Sequence, residues 1–116
     1  MEYNETHGTG TAVGDAVEVA AISSVYGPRQ QHTLKLGALK TQFGHTFAVA
    51  GLASVIKVML SFEHGQIPKN LIKGELRHDL QLSELGYDPM HDDKAYIAPK
   101  GMRHAAINGF GTGGVN

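Results

Sequence analysis

The sequence predicts an α/β fold in which helices cover a mixed sheet around a buried central helix. Strand and helix patterns alternate along residues 2–62, an order typical of α/β proteins. Residues 47–62 are nearly uncharged and carry apolar side chains all round the helix, so we expect this helix to be buried. Glycine is abundant, with 15 of 116 residues, and clusters at Gly8–Gly14 and Gly109–Gly114, where the backbone must turn tightly or approach another group closely.

The amino-terminal part is predicted to contain two strands and two helices. Asp15 is a plausible N-cap for the first helix, and Glu18 completes a capping-box pattern. That helix should end before Gly27-Pro28, a strong stop signal. The predicted elements are a strand at residues 2–6, a helix ending at Tyr26, a strand at 34–39, a loop at 40–45 and the central helix at 47–62.

The carboxy-terminal part has weaker signals. Pro68 favours an extended segment around it. Residues 73–94 carry much of the charge with little periodicity, so we expect an exposed polar excursion with one short helical turn near Leu80–Leu85. Strands are predicted at 95–98 and 105–108. Neither end of the sequence has a cap or a polar tail, so we expect a domain truncated at both ends over 1–116.

The composition excludes several classes of function. The hydrophobic fraction of 41%, the charged fraction of 18% and the net charge of −1 are those of an ordinary globular domain, with no basic excess for nucleic acid. The sequence has no polybasic segment of the kind that binds a membrane surface. The central helix is shorter than the roughly 20 residues needed to cross a bilayer. Cysteine is absent, so this chain supplies neither a disulfide nor a cysteine nucleophile. Without a signal sequence, a cytoplasmic location is expected.

Three residues are candidates for chemistry. His7 directly follows a predicted strand, in T-H-G-T-G-T, and His45 stands shortly after Lys40 in the loop before the central helix. α/β proteins tend to place ligands at such strand ends and helix N-termini. The alternatives are a loop histidine capped by hydroxyls, a satisfied core histidine and a solvated lysine. Together the three could form an electrophilic pocket, in which neutral imidazole N–H groups stabilise an enolate or thioester oxyanion.

Two other patterns are weaker. Gly109-x-Gly111-x-x-Gly114 formally matches a dinucleotide fingerprint, but no βαβ unit surrounds it. Four residues of the polar excursion could be imagined as metal ligands, but without zinc-site spacing a solvated surface is favoured, and no metal is expected. These four are His78, His91, Asp92 and Asp93.

Four stretches in order resemble the C-terminal half of a β-ketoacyl synthase of the thiolase-like superfamily, closest to type I polyketide and fatty acid synthases. Residues 6–22, T-H-G-T-G-T-A-V-G-D-A-V-E-V-A-A-I, are similar to the family's A-H-G-T-G-T-x-x-G-D-P-x-E-x-x-A-L. Residues 36–51 resemble L-G-S-V-K-x-N-x-G-H-x-E-x-A-A-G, residues 64–71 resemble G-x-I-P-P-N-L, and residues 108–116 resemble S-S-F-G-F-G-G-T-N.

The resemblance implies the αβαβα layered fold and decarboxylative Claisen condensation of an acyl group with a malonyl thioester. His7 and His45 match the two catalytic histidines, and Lys40 matches the motif lysine beside them. The residues implied to line the route of the substrate and its pantetheine arm are Thr9, Thr11, Phe110, Gly111 and Thr112. The implied partners are the missing N-terminal half with its nucleophilic cysteine, an acyl carrier protein and, in the intact protein, a second copy in a homodimer. No cofactor is expected on this chain itself; the substrate would be phosphopantetheine-linked.

The sequence departs from the family pattern at four positions. Thr112 stands where the family usually has phenylalanine, Phe47 replaces glutamate, Ala16 replaces proline and Val115 replaces threonine. Two other hypotheses stay open. One is a non-catalytic relative that serves dimerisation, like a chain-length factor; the other is a small metal- or nucleotide-binding module.

Overall fold

The computed structural model describes residues 2–92, 95–98, 100–101 and 104–116, so the part of the predicted excursion at 93–94 lies outside the described residues. The helices are α1 (Ala12–Tyr26), α2 (Lys40–Phe43), α3 (Ala50–His64) and α4 (Leu82–Leu85), with 3-10 turns at Phe47–Val49 and His78–Leu80. The strands are β1 (Tyr3–Glu5), β2 (Leu34–Gly37), β3 (Gln66–Ile67), β4 (Tyr87–Asp88), β5 (Tyr96–Ile97) and β6 (Ala106–Ile107).

The described strands form two separate groups. Four of them make a parallel sheet in the order β4-β2-β1-β6, and β3 pairs with β5 in an antiparallel ribbon. The α/β class is confirmed, but the expected single mixed sheet is replaced by these two groups. Because Glu5 pairs with Gly37 in the parallel sheet, β1 and β2 end at the same edge.

Apolar side chains pack on both faces of the parallel sheet. One core cluster joins Tyr3 of β1 to Val58 of α3, together with Ile67 and Met90. The other joins Ile22 of α1 to Leu34, Leu36 and Tyr87. The sheet is therefore a layer between α1 and α3, with each helix covering one face.

Residues 73–94 are not a simple exposed excursion. Their predicted helical turn is confirmed by α4, but β4 then joins the sheet beside β2. Tyr87 is only 3% exposed, and its hydroxyl donates to the carbonyl oxygen of Gly27 at 2.9 Å. Two-residue strands carry too little periodicity to be recognised in a sequence, which is why the prediction missed this edge strand.

Helix α1 begins three residues before the predicted N-cap. Thr11 is the N-cap, and its hydroxyl oxygen accepts a hydrogen bond from the backbone N–H of Gly14 at 3.0 Å. Asp15 lies in the first turn and accepts from the N–H of Gly10. The predicted capping box is therefore wrong, and Glu18 is free for a different role.

Helix α3 is covered on one face only. The covered face holds mostly small and polar residues: Ala50, Ser54, Lys57, Val58 and Ser61. Leu52 and Met59 on the opposite side are 61% and 64% exposed, in contrast to the burial expected all round the helix. An apolar groove of about 700 Å³ lies next to the covered face, between the helix and residues 39–46, and its helical lining includes Ala53, Ile56 and Leu60.

By length and composition alone, the segment Phe47–His64 could cross a membrane. It has 18 residues with a mean hydropathy of 1.4, values that core helices of soluble proteins share. Within the described residues it is joined to the sheet by an ion pair between Lys57 and Glu5, with the two atoms 2.7 Å apart. A charged contact of this kind belongs to a helix packed against protein.

Gly37, the last residue of β2, allows the closest approach in the sheet. A Cβ atom added there would lie 1.9 Å from the hydroxyl oxygen of Tyr3 and 2.5 Å from Oε2 of Glu5. Any side chain at this position would have to displace the buried side chains of Tyr3 and Glu5, so glycine lets these two pack over the end of β2.

Candidate active site

The sheet brings the three predicted catalytic residues to one edge. His7 lies in the loop after β1, and Lys40 begins α2 just after β2. His45 lies beyond α2, before the 3-10 turn that leads into α3. The rings of His7 and His45 meet edge to face, with centroids 5.5 Å apart and planes at 86°. The predicted convergence of these residues is therefore present in the structure.

Hydrogen bonds determine which nitrogen of each imidazole carries the proton. Nδ1 of His45 accepts from the backbone N–H of Phe47 at 3.0 Å. Nδ1 of His7 faces two donors, the N–H of Phe110 at 3.4 Å and the ammonium group of Lys40 at 3.3 Å. Since Nδ1 accepts in both residues, the neutral form of each ring carries its hydrogen on Nε2. Each neutral ring therefore has an Nε2–H group available as a donor, and the two rings are in contact.

Lys40 sets the charge beside His7. Its ammonium group also donates to the carbonyl oxygen of His7 at 2.6 Å. Burial lowers the pKa of His7 below its ordinary value and the positive charge of Lys40 lowers it further, against an opposing effect of Glu18. The pKa of Lys40 is itself lowered, mainly by burial. The imidazole of His7 is therefore kept neutral over a wider pH range than a free histidine.

Two phenylalanines flank the imidazoles. The ring of Phe110 lies 5.2 Å from that of His7, and the ring of Phe47 stacks on His45 at 5.1 Å. Phe47 has a φ of 50°, a left-handed conformation that is rare for a bulky residue. This conformation accompanies the hydrogen bond from its N–H to His45, so backbone strain is stored beside the site.

Glu18 is a functional residue, although the sequence predicted it to be part of a capping box. Its buried carboxylate accepts from the backbone N–H groups of His7 at 2.7 Å and Gly8 at 2.9 Å. The side-chain amide of Asn108, after β6, donates to it at 2.9 Å. Glu18 therefore fixes the His7 loop against α1 and the end of β6. A glutamate one helical turn beyond Gly14-Asp15 could have been read as facing the loop, but its spacing also fits a cap.

Asn70 supports the Lys40 side of the site. Its side-chain oxygen accepts from the N–H of Ala38 at 2.7 Å, and its amide donates to the carbonyl oxygens of Leu36 and Pro89. The turn before Lys40 is thereby joined to the strand that precedes it and to the residue after β4. The predicted loop at 40–45 is, in the structure, the short helix α2 followed by Gly44 and His45.

The residues expected to line the substrate route stand at different places. Phe110 contacts His7, and Thr9 and Thr11 are exposed with their hydroxyl oxygens 3.5 Å apart. Gly111 begins a tight turn in which its N–H donates to the carbonyl oxygen of Val115. Thr112 is exposed in the same turn. The structure tests the positions of these five residues, and their role as a pantetheine route stays a prediction.

The third hypothesis, a metal- or nucleotide-binding module, finds little support. Among the described residues, no group of three or more His, Cys, Asp or Glu side chains could hold a metal ion. Among the described residues, the glycine-rich segment 109–114 holds a turn at residues 112–113, and no helix begins within it, whereas a dinucleotide fingerprint opens a helix.

The class of protein follows from this site and from a family comparison. Residues 1–72 match the family described as β-ketoacyl synthase, C-terminal domain. The match includes His7, Lys40 and His45, and it covers more than half of the chain. This chain belongs to that family, and the resemblance seen in the sequence is confirmed.

Relatives place it among ketosynthases of polyketide synthases. The chain is 42% identical over 115 residues to the highly reducing polyketide synthase virA of Hypocrea virens, and 38% identical over 116 residues to the erythronolide synthase EryA2 of Saccharopolyspora erythraea. These matches cover 99% and 100% of the chain but only 5% and 3% of the relatives. The ketosynthase from module 1 of the bacillaene synthase of Bacillus amyloliquefaciens FZB42 is similar in structure, with a TM-score of 0.87 and 32% identity. The chain covers 22% of that ketosynthase.

Proposed function

We propose that this chain supplies the histidine half of a β-ketoacyl synthase, an acyltransferase that extends a polyketide or fatty acyl chain by decarboxylative condensation. The observation that carries the proposal is the edge-to-face pair of His7 and His45, each with Nδ1 accepting a hydrogen bond. Two neighbouring imidazoles, each with a free Nε2–H group, could both donate to a single oxygen on which negative charge develops.

Decarboxylative condensation needs hydrogen-bond donors near the oxygen that becomes negatively charged. When a malonyl thioester loses CO₂, the electron pair of the broken C–C bond becomes an enolate whose negative charge rests on the thioester oxygen. The enolate carbon then attacks the carbonyl carbon of an acyl group held on a cysteine, and the tetrahedral intermediate expels the cysteine thiolate. Nε2–H groups of His7 and His45 would stabilise the enolate oxygen. One well-placed donor of this kind is typically worth about 10²–10³ in rate.

Lys40 would keep the donor pair in its working form. An ammonium group beside Nδ1 of His7 opposes protonation there, so the ring stays neutral. The bond from Lys40 to the His7 carbonyl oxygen fixes the ammonium group against the backbone of the same residue. The lysine acts on the histidine in this scheme and need not contact the substrate.

The remaining parts of the reaction belong to partners. The nucleophilic cysteine would come from an N-terminal ketosynthase half, and the malonyl group would arrive on the phosphopantetheine arm of an acyl carrier protein. Thr9, Thr11, Phe110, Gly111 and Thr112 would border the path of that arm. The exposed side of α3 and its groove offer a surface for the missing half. Dimerisation and a cytoplasmic location stay predictions.

The test uses the complete ketosynthase, obtained from the reading frame that carries this chain. His7→Ala and His45→Ala should each lower decarboxylation of malonyl carrier protein by about 10²–10³, while transfer of a labelled acyl group to the cysteine continues. His32→Ala, at an exposed histidine in the loop between α1 and β2, is the control. A reading frame without the cysteine would instead support the non-catalytic relative. Full condensation in both histidine variants would overturn the roles proposed for His7 and His45.

A further inference from the structure

Glu5 is a buried carboxylate at the centre of the site's supporting structure. It is 0% exposed, at the end of β1 and close in sequence to His7. Its Oε2 accepts from the ammonium group of Lys57 at 2.7 Å and from the hydroxyl of Tyr3. Its Oε1 accepts from the backbone N–H of Leu39 at 2.6 Å.

These bonds connect three elements that carry the candidate catalytic residues. Glu5 itself lies on the strand that ends at His7. Leu39 is the residue directly before Lys40, and Lys57 lies on α3, the helix that follows His45. One side chain therefore fixes the distance between the strand end and the turn, and relates both to the helix.

The pairing with Lys57 explains why a carboxylate can occupy this place. A buried charge without a partner is strongly unfavourable, whereas a paired and hydrogen-bonded one is tolerated. The side chain of Lys57 is 6% exposed, and its ammonium group lies 2.7 Å from Oε2 of Glu5. An apolar residue in place of Glu5 could fill the space but could not accept the N–H of Leu39.

Resting on the function proposed above, we propose that Glu5 is a positioning residue for Lys40 and His7, with Lys57 as its counter-charge. The carboxylate holds the backbone before Lys40 at the distance that lets the ammonium group bind His7. Neither Glu5 nor Lys57 contacts the substrate in this scheme.

Two double variants of the complete ketosynthase separate positioning from stability. Glu5→Gln with Lys57→Met removes both charges but keeps an oxygen that accepts from Leu39. Glu5→Leu with Lys57→Met removes the charges and the acceptor. We expect kcat of condensation to fall roughly 10- to 100-fold in the second variant (the Leu/Met enzyme), because a displacement of about 1 Å in a site has an effect of this size. The KM for malonyl carrier protein should stay unchanged. The Gln/Met enzyme should stay within about threefold of the parent, since the hydrogen bond is kept.

A matched control removes another ion pair from the same sheet. Lys35 and Asp88 pair at 2.5 Å between β2 and β4, and neither side chain bonds the turn before Lys40. Lys35→Met with Asp88→Asn removes both charges, keeps an oxygen for the N–H of Met90 and should leave kcat unchanged. Backbone hydrogen exchange supplies a second readout, because the N–H of Leu39 should stay protected in the Gln/Met enzyme and lose protection in the Leu/Met enzyme.

Equal kcat values in the two double variants would overturn the inference. The Glu5→Leu, Lys57→Met enzyme could fail to fold, and the test then uses the Glu5→Gln, Lys57→Met enzyme alone. If that enzyme is fully active while its Leu39 amide exchanges rapidly, the inference is overturned as well. His7→Ala in the same assays keeps the two proposals apart. Unchanged condensation in that variant refutes the proposed function, whereas its loss alongside equal double variants refutes only the role of Glu5.

Discussion

The ammonium group of Lys40 lies 3.3 Å from Nδ1 of His7 and donates to the carbonyl oxygen of the same residue at 2.6 Å. The lysine thus affects both the position of the histidine and its protonation state. Burial and the charge of Lys40 act in the same direction and lower the pKa of His7, while the carboxylate of Glu18 acts against them.

Removal of this charge should narrow the pH range of activity. In Lys40→Met the pKa of His7 should rise towards the ordinary value of about 6.5, so the neutral imidazole is lost at a higher pH. The acid limb of the pH–rate profile for malonyl decarboxylation should therefore move to higher pH. Lys73→Met, at an exposed lysine, is the control. An acid limb that stays in place or moves to lower pH would contradict this account.

Glu18→Gln should move the same limb the other way. The N–H groups of His7 and Gly8 bind different oxygens of Glu18, so the glutamine oxygen keeps only one of these two hydrogen bonds. The negative charge that raises the pKa of His7 is removed. The measurement is the same pH–rate profile. Shifts of opposite sign in Lys40→Met and Glu18→Gln would show that charge, and not loop geometry alone, governs the histidine.

Thr11 provides a test of capping against substrate binding. Its hydroxyl oxygen accepts from the N–H of Gly14 as the N-cap of α1. Thr11→Ala should lower the free energy of unfolding by about 1 kcal/mol, and Thr11→Ser should restore it. Urea unfolding measures this effect. A pantetheine contact predicts in addition a raised KM for malonyl carrier protein in Thr11→Ala, whereas an unchanged KM leaves Thr11 as a cap only.

The ion pair between Lys57 and Glu5 should be costly to break from one side. Lys57→Met leaves a buried carboxylate unpaired, and we expect the free energy of unfolding to fall by roughly 3–5 kcal/mol. Lys35→Met removes a partly exposed pair, for which roughly 0–1 kcal/mol is expected. Denaturant unfolding of the complete ketosynthase measures both values. Equal losses in the two variants would show that burial does not set the cost.

The exposed side of α3 should make the isolated 116-residue chain associate. Leu52 and Met59 are more than half exposed on the uncovered side of the helix, and contiguous apolar surfaces of this kind promote association. Sedimentation should show species larger than a monomer, and Leu52→Glu with Met59→Glu should reduce their size. Val13→Glu, at a 75% exposed site on α1, is the control. A monomer with a single cooperative unfolding transition would refute the prediction.

The candidate catalytic residues could be predicted from the sequence, but the residues that hold them in place could not. His7, Lys40 and His45 were identified because they stand in motifs at strand ends, and parallel strands bring such ends together. Glu5 and Lys57 were missed, since a charged residue within a strand or an apolar helix gives no sign of its partner. The edge strand β4 was missed because two residues show no periodicity.

The helices show the same division between local and distant information. The stop at Gly27-Pro28 is a local signal and was predicted correctly, since α1 ends at Tyr26. The burial of α3 depends on what packs against it, and within this chain one of its sides has no cover. Hydrophobicity predicted that the helix needs covering, but it could not indicate which segment would do so.

Gly37 leaves no room for even a methyl group between Tyr3 and Glu5. Every amino acid reachable from a glycine codon by one nucleotide change carries a Cβ atom, so no such missense mutation at this codon can be silent in its effect. In a scan of all single substitutions, no replacement of Gly37 should be recovered among the active variants, even though this residue takes no part in the reaction.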